Sequence, residues 1–221
     1  MGILIFLRDR NEAIVEAWET LFHNYDNIKI SCGDIFDLEA DAIVSPANSF
    51  GFMDGGIDLA YSEFFGWNLV KMLQENIQNM FYGEIPVGNA TIIKTGNEKI
   101  KYLISAPTMR IPINVSNTVN AYLAFRASLI EVRKFNENNK EKISSILCPG
   151  LGTLTGRISP ENCAIQMKYA YDLIIGNKIT FPNSLHEAHL GYDYLKKIKK
   201  IKEERYVQEN VFSYCIFSNN C

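Results

Sequence analysis

Residues 41–66 constrain the fold most, because a short apolar strand there runs into a glycine-rich loop and then into a helix. The run at residues 42–44 is short and β-branched, as expected of a strand covered on both faces. Gly51, Gly55 and Gly56 allow backbone conformations with positive φ and bring main-chain N–H groups close to a ligand. The N-terminus of the following helix adds its dipole. The segment therefore predicts an anion-binding site, and phosphate is the expected ligand.

A second glycine-rich loop follows about a hundred residues later. An apolar strand is predicted at residues 143–147, the loop occupies 148–156, and Ser159 and Pro160 are a good N-cap and first residue for the next helix. Neither loop carries a Walker lysine or the dinucleotide-binding glycine pattern, so any phosphate would be held by backbone alone. Two such loops would lie side by side at the carboxyl edge of a sheet, where a diphosphate would bridge them. The alternative is that each loop is only a tight strand-to-helix turn.

Hydrophobic periodicity predicts alternating strands and helices along the chain. The fold class is therefore α/β, a three-layer α/β/α sandwich with a central mixed, mostly parallel sheet. Within the predicted helix at residues 115–135, the candidate core positions are Val119, Leu123, Ala127, Ile130 and Val132. Strands are predicted at residues 3–7, 28–32, 42–44, 90–95, 102–106 and 143–147, and helices at 10–23, 56–65, 67–80, 115–135 and 159–175.

Composition is that of one globular domain with a full core, since 47% of the 221 residues are hydrophobic and 12% are aromatic. The net charge of −3 provides no general attraction to nucleic acid or to an anionic membrane. The apolar run at residues 3–7 is too short for a signal peptide and is followed at once by charge. We therefore expect a cytoplasmic protein with no membrane or nucleic-acid partner.

Cysteine and histidine provide no clear catalytic or metal motif. The five cysteines lie far apart and are odd in number, which argues against a disulfide framework. Cys148 is interpreted as a small buried residue at a strand end rather than a nucleophile. His186 and His189 have a spacing that would place a metal on one helix face, but a third ligand is missing, which favours a surface helix. No metal and no cofactor are predicted.

Several motifs, in order, resemble the macro domain family, whose members bind ADP-ribose. Residues 33–35 (GDI), 45–48 (SPAN), 54–58 (DGGID) and the loop at 149–156 look like the segments with which that family holds adenine, distal ribose and diphosphate. Segments 106–110 and 120–126 resemble a bacterial, phage and fungal branch of the family. The likeness covers about residues 28–176.

The resemblance implies a role for each matching residue. Asp34 would accept a hydrogen bond from the adenine amino group, and Asn48 would hold the distal ribose. Asp58 would position or deprotonate the attacking water, so Asn48 and Asp58 are the candidate catalytic residues. The implied ligand-binding residues are Asp34, Ile35, Asn48, Gly55, Gly56, Ile57, Gly150, Leu151, Gly152, Thr153, Leu154, Thr155 and Gly156.

Two residues depart from the family pattern. Ser45 stands where the family usually has asparagine, and Asp54 where it has glycine. Asp54 would place a carboxylate beside the phosphate site unless it points away or pairs with a cation such as Arg110 or Arg157. Both departures support binding better than catalysis. Asp58 itself has a structural alternative, as a carboxylate stabilised by the helix dipole.

The C-terminal part lies outside the resemblance. We expect residues 1–180 to form the macro domain and residues 181–221 a helical extension packed on it. The segment 195–205 is rich in lysine, but four nearby carboxylates favour a solvated helix over a site for acidic surfaces or nucleic acid. The aromatic residues at 206–217 would pack back or pair with another chain.

The sequence thus predicts a macro domain that binds ADP-ribose or an ADP-ribosylated macromolecule. It would hydrolyse ADP-ribosyl adducts on protein, or ADP-ribose 1″-phosphate. The alternative is a binding module without turnover, which Ser45 and Asp54 favour. A third possibility, a nucleic-acid-binding or phage structural protein with the same fold, is opposed by the acidic net charge.

Overall fold

A computed structural model describes residues 2–179 and 181–196 of the protein. The lysine-rich segment therefore lies almost wholly, and the aromatic segment wholly, outside the described residues. The strands are β1 (Leu4–Asp9), β2 (Ile28–Cys32), β3 (Ala40–Ser45), β4 (Thr91–Lys94), β5 (Ile100–Ser105) and β6 (Ser145–Cys148). The helices are α1 (Glu12–Phe22), α2 (Gly56–Phe65), α3 (Asn68–Phe81), α4 (Asn120–Asn138), α5 (Pro160–Ile174) and α6 (Leu185–Lys196), with a 3₁₀ turn at Ile35–Asp37.

The strands form one sheet in the order β2-β1-β6-β3-β5-β4. Neighbouring strands are parallel except for the edge strand β4, which runs antiparallel to β5. The prediction of a mixed, mostly parallel sheet is confirmed. Because the parallel strands end at the same edge, the loops after β1, β2, β3, β5 and β6 all emerge there.

Alternate residues of the central strands face two separate cores, which makes the fold three-layered. In β3, Ala42 and Val44 face the core under α1, α4 and α5, whereas Ile43 faces the core under α2 and α3. Trp18 of α1 and Phe125 of α4 are fully buried in the first core. Burying a side chain of this size contributes roughly 1.5–3 kcal/mol or more to folding.

Local signals fix several helix ends. Ser159 caps α5 by accepting a hydrogen bond from the Asn162 N–H at 3.2 Å, and Pro160 is its first residue, as predicted.

The helix α4 begins at Asn120 rather than near residue 115. Val115 is instead used outside a helix, where its N–H donates to the Gly156 carbonyl at 2.8 Å.

The predicted core face of α4 is therefore only partly right. Val119, Ala127 and Val132 are buried, but Leu123 and Ile130 are half-buried. The buried stripe instead runs through Ala121, Ala124, Phe125, Ser128 and Leu129.

An acidic side chain joins two central strands at the amino edge of the sheet. Asp41 Oδ2 accepts hydrogen bonds from the backbone N–H and the hydroxyl of both Ser144 and Ser145, at 2.7–3.0 Å. The Ser145 hydroxyl is also 2.9 Å from the Asp41 N–H. These contacts hold the start of β3 beside the start of β6.

The helix α6 lies against α5. Leu195 is buried, and its carbonyl accepts a hydrogen bond from Gln166 Nε2 at 3.1 Å. Among the described residues, none of the helices is both long and apolar enough to cross a membrane.

Candidate functional site

Two loops emerge beside each other at the carboxyl edge of the sheet, and we call the space between them the crevice. We call residues 46–55 the first glycine loop and residues 149–158 the second glycine loop. They follow β3 and β6, which are direct neighbours in the sheet with Ala42 opposite Ile146 and Ile43 opposite Leu147. The predicted placement of the two loops side by side is therefore found in the structure.

The amino end of α2 opens onto free space. Gly55 is its N-cap and provides no side-chain cap, so the first N–H groups of the helix lack that partner. A Cβ atom added at Gly55 or Gly56 would meet no atom within 4 Å, and Gly56 has a φ of +59°. Such a helix end attracts anions through its N–H groups and its dipole.

The carboxyl group of Asp58 lies in the first turn of α2 and is turned toward the end of β3. Its Oδ1 accepts a hydrogen bond from the Ser45 hydroxyl at 2.6 Å. Asp58 is only 9% exposed, and Ser45 is fully buried. Burial raises the pKa of Asp58 from 3.8 to about 7, while the Ser45 hydrogen bond acts in the opposite direction. Ser45, the departure from the family pattern, is thus the direct partner of the candidate base.

The Asn48 side chain holds the first glycine loop together. Its Oδ1 accepts from the N–H groups of Phe50 at 3.1 Å and Phe52 at 3.3 Å, and its Nδ2 donates to the Phe52 carbonyl at 2.8 Å. The loop is also paired with the segment after β5, since the Ser49 N–H donates to the Arg110 carbonyl at 3.1 Å. The structure therefore gives Asn48 a loop-shaping role that the sequence did not indicate.

The second glycine loop is fixed by contacts from other elements. The Gly150 N–H donates to Asp9 Oδ2 at 3.0 Å, and the Leu151 N–H to the Cys163 sulfur at 3.3 Å. A Cβ atom at Gly156 would lie 2.5 Å from the Gly152 carbonyl oxygen, so only glycine fits there. The N–H groups of Gly150 and Leu151, both predicted to bind ligand, are therefore already engaged inside the protein. The N–H groups expected to contact a diphosphate are then those of residues 152–156.

Asp34 follows the edge strand β2, which lies two positions from β6 in the sheet, and its turn emerges at the same carboxyl edge as the two glycine loops. Its Oδ1 accepts from the Phe36 N–H at 3.1 Å, and its Oδ2 forms an ion pair with the Arg10 guanidinium. The hydrogen bond from the Phe36 amide, followed by the Arg10 guanidinium, holds the pKa of Asp34 below its usual value. Arg10 was not among the predicted site residues.

Asp54 does not form either of the ion pairs suggested for it, although both arginines lie in the described part of the chain. Asp54 is exposed and pairs with neither Arg110 nor Arg157. Arg110 instead forms an ion pair with Glu84 at 2.7 Å, and its guanidinium lies over the Phe50 ring. The expected pairing with a cation is therefore not found for Asp54, and the alternative, that it points away from the phosphate site, stays a prediction.

The structure places Cys148 where the sequence predicted. It is fully buried at the end of β6, and burial raises its thiol pKa well above the ordinary value. His186 and His189 are exposed on α6. Within residues 2–179 and 181–196, no group of three or more His, Cys, Asp or Glu side chains has the arrangement of a metal site.

Sequence reasoning missed three residues at the end of β1. Asp9, Arg8 and Arg10 contact the second glycine loop and the Asp34 turn. Polar residues at the carboxyl end of a parallel strand are the signal that would have indicated them.

Comparison with known proteins identifies the family. The Macro domain family model matches residues 44–167, more than half of the chain. An uncharacterized protein of Aquifex aeolicus is 33% identical over 141 residues, 64% of this chain and 78% of that protein. A macro domain-containing protein of Caldanaerobacter subterraneus is 30% identical over 155 residues, 70% of this chain and 85% of that protein.

A solved structure has the same fold. A mutant of the Oceanobacillus iheyensis macrodomain with ADPR aligns with a TM-score of 0.57 and 19% identity, over 80% of this chain and 91% of that one. On the sequence match and the shared fold, this chain belongs to the macro domain family.

Proposed function

We propose that this protein binds ADP-ribose in the crevice between the two glycine loops and hydrolyses ADP-ribosyl adducts. The observation that carries the proposal is the buried Asp58 carboxyl group in the first turn of α2, beside a helix end that no side chain caps. The solved macrodomain with ADPR supports the choice of ligand.

The proposed ligand lies along the carboxyl edge of the sheet. Asp34 recognises the adenine end, with Ile35 beside it. The N–H groups at Gly55, Gly56 and Ile57 and those of residues 152–156 neutralise the diphosphate. The distal ribose then lies over Asn48, whose shaping of the first glycine loop sets the position of that wall.

Hydrolysis requires a base near the anomeric carbon. With a pKa of about 7, Asp58 is ionised in about half of the molecules at neutral pH and is a strong enough base to accept a proton from water. The hydroxide equivalent forms the new bond to the anomeric carbon, and the bond from that carbon to the acceptor breaks. The acceptor takes up a proton from solvent as it leaves, Asp58 releases to solvent the proton that it accepted from water, and ADP-ribose remains in the crevice.

A binding module without turnover is the second candidate, and specific contacts favour it. Asp58 is only 9% exposed and has one carboxylate oxygen engaged by Ser45. The amide of Asn48 is used within the first glycine loop. Both side chains then serve to shape the site, and the backbone holds the ligand.

Two measurements separate these readings. ADP-ribose at saturation should raise the melting temperature, because it binds the native state only, and AMP should raise it less. Release of ADP-ribose from ester-linked, arginine-linked and phosphate-linked substrates is then followed for the wild type, Asp58→Ala and the distant control Asp26→Ala. Loss of the general base should reduce the rate about 10²- to 10⁴-fold in Asp58→Ala alone.

Each outcome decides one point. If ADP-ribose produces neither a thermal shift nor a heat of binding, the assignment of the crevice is wrong. Binding without release from any of the three substrates by the wild type would leave the binding module as the function.

We further propose that residues 181–221 extend this domain rather than form a second one. The burial of Leu195 against α5 supports this for the described part of the extension. A cytoplasmic location remains a prediction from the sequence.

A further inference from the structure

Arg10 lies at the proposed adenine end of the crevice. It directly follows β1, and the strand end is tied to the Asp34 turn because the Gly33 N–H donates to the Asp9 carbonyl at 2.9 Å. The Arg10 guanidinium contacts Asp34 Oδ2 through Nη2. A hydrogen-bond donor, the Arg10 guanidinium, therefore lies beside the Asp34 carboxylate, the acceptor that the proposed function assigns to adenine recognition.

Contacts from Arg8 hold the Asp34 turn in place. Arg8 Nε donates to the Asp34 carbonyl at 2.6 Å and Nη1 to the Ser31 hydroxyl at 2.8 Å. A Cβ atom at Gly33 would lie 2.4 Å from Arg8 Nη2, so the guanidinium fills the space beside the turn. The Arg8 side chain is 13% exposed, whereas that of Arg10 is 77% exposed.

The exposed Arg10 is free to reorient at little cost, because exposed ion pairs contribute little to stability. Its two planar N–H donors match the O6 and N7 acceptors of a 6-oxopurine, which is the pairing that arginine most often makes with guanine. A carboxylate alone accepts from the 6-amino group of adenine but repels the 6-oxo oxygen of hypoxanthine or guanine. An adjacent guanidinium removes that repulsion by donating to the oxygen.

We propose that Arg10 determines the base specificity of the site and makes it accept 6-oxopurines as well as adenine. For adenine, Asp34 accepts from the 6-amino group and Arg10 donates to N7. For hypoxanthine, Asp34 accepts from N1–H and Arg10 donates to O6 and N7. The inference rests on the proposed ADP-ribose function, because it concerns the base end of that same ligand.

The test compares two ligands that differ only at position 6 of the purine. ADP-ribose and its hypoxanthine counterpart, inosine diphosphate ribose, are titrated calorimetrically into the wild type, Arg10→Ala, Arg10→Lys and the distant control Arg133→Ala. The wild type should bind the two ligands within about tenfold of each other. In Arg10→Ala the hypoxanthine ligand should lose at least about tenfold more affinity than ADP-ribose.

Arg10→Lys keeps the charge but not the planar donor pair, so it should show an intermediate ratio. Arg133→Ala should leave the ratio unchanged. An equal loss for both ligands in Arg10→Ala would mean that Arg10 acts only through its charge on the diphosphate, and the proposal fails. It also fails if the wild type rejects the hypoxanthine ligand more than about a hundredfold. Absence of ADP-ribose binding by the wild type, in contrast, would refute the proposed function itself.

Discussion

Asp58 should make the stability of the protein fall as pH rises. Its pKa is about 7 in the folded protein and near 3.8 when unfolded, because folding buries the carboxyl group. Between these two values the native state holds a proton that the unfolded state has lost. The contribution of Asp58 to the free energy of unfolding is therefore most favourable below about pH 4. It falls as pH rises toward 7 and does not change further above that.

Asp58→Asn removes this dependence while keeping the shape of the side chain, and the amide oxygen still accepts from the Ser45 hydroxyl. A rise of about 3 pKa units, at about 1.4 kcal/mol per unit, sets an upper limit of about 4 kcal/mol. Between pH 5 and pH 8 the variant should gain about 2–3 kcal/mol of unfolding free energy relative to the wild type. For a chain of this size that corresponds to a difference in melting temperature of roughly 4–12 °C.

The assay is urea unfolding of both proteins at pH 5, 6.5 and 8 and constant ionic strength. The exposed Asp26→Asn variant is the control, and its curve should run parallel to that of the wild type. A wild type and an Asp58→Asn variant whose stabilities differ by a constant amount from pH 5 to pH 8 would show that Asp58 is ionised throughout. The reasoning from burial would then be refuted, along with the assignment of Asp58 as a base that titrates near neutrality.

Three further predictions concern other parts of the structure. Asp34→Ala should weaken ADP-ribose binding by one to two decades in calorimetry without unfolding the protein, because a charged acceptor is lost; unchanged affinity in the folded variant would exclude this contact. Gly156→Ala should destabilise the protein by about 1–3 kcal/mol in urea unfolding, since the new methyl group meets the Gly152 carbonyl at 2.5 Å, and wild-type stability would contradict the tight packing. Cys148 should resist a thiol reagent at pH 8 in the native state, whereas exposed Cys32 reacts; peptide mapping that finds both labelled equally would show that β6 opens readily.

The parts of the fold that depend on neighbouring residues were predictable. The start of α5 followed from Ser159 and Pro160, and the helix predicted at residues 56–65 matches the bounds of α2. The start of α4 was misplaced because Val115 and Val119 continue an apolar helical pattern. The pairing of Val115 with Gly156, about forty residues away, overrides that local preference.

The site was predictable as a set of positions but not as a set of contacts. The glycine loops and the positions of Asp34 and Asp58 follow from spacing and from the family resemblance. The partners of the two carboxylates come from other elements of the fold, since Arg10 directly follows β1 and Ser45 is the last residue of β3. A sequence does not show which donor reaches a given acceptor across a fold, nor how far a carboxyl group is buried, and burial is what raises the pKa of Asp58.

The Asp41 contacts at the amino edge of the sheet have a consequence for the opposite edge. A strand advances about 3.3 Å per residue, so a slip of one residue between β3 and β6 would move one glycine loop by that length relative to the other. It would also turn the side chains of the slipped strand to the wrong core. By tying β3 to Ser144 and Ser145, Asp41 sets the span between the crevice walls from the far end of both strands. The relative placement of the two glycine loops thus depends on contacts made at the opposite ends of the strands that carry them.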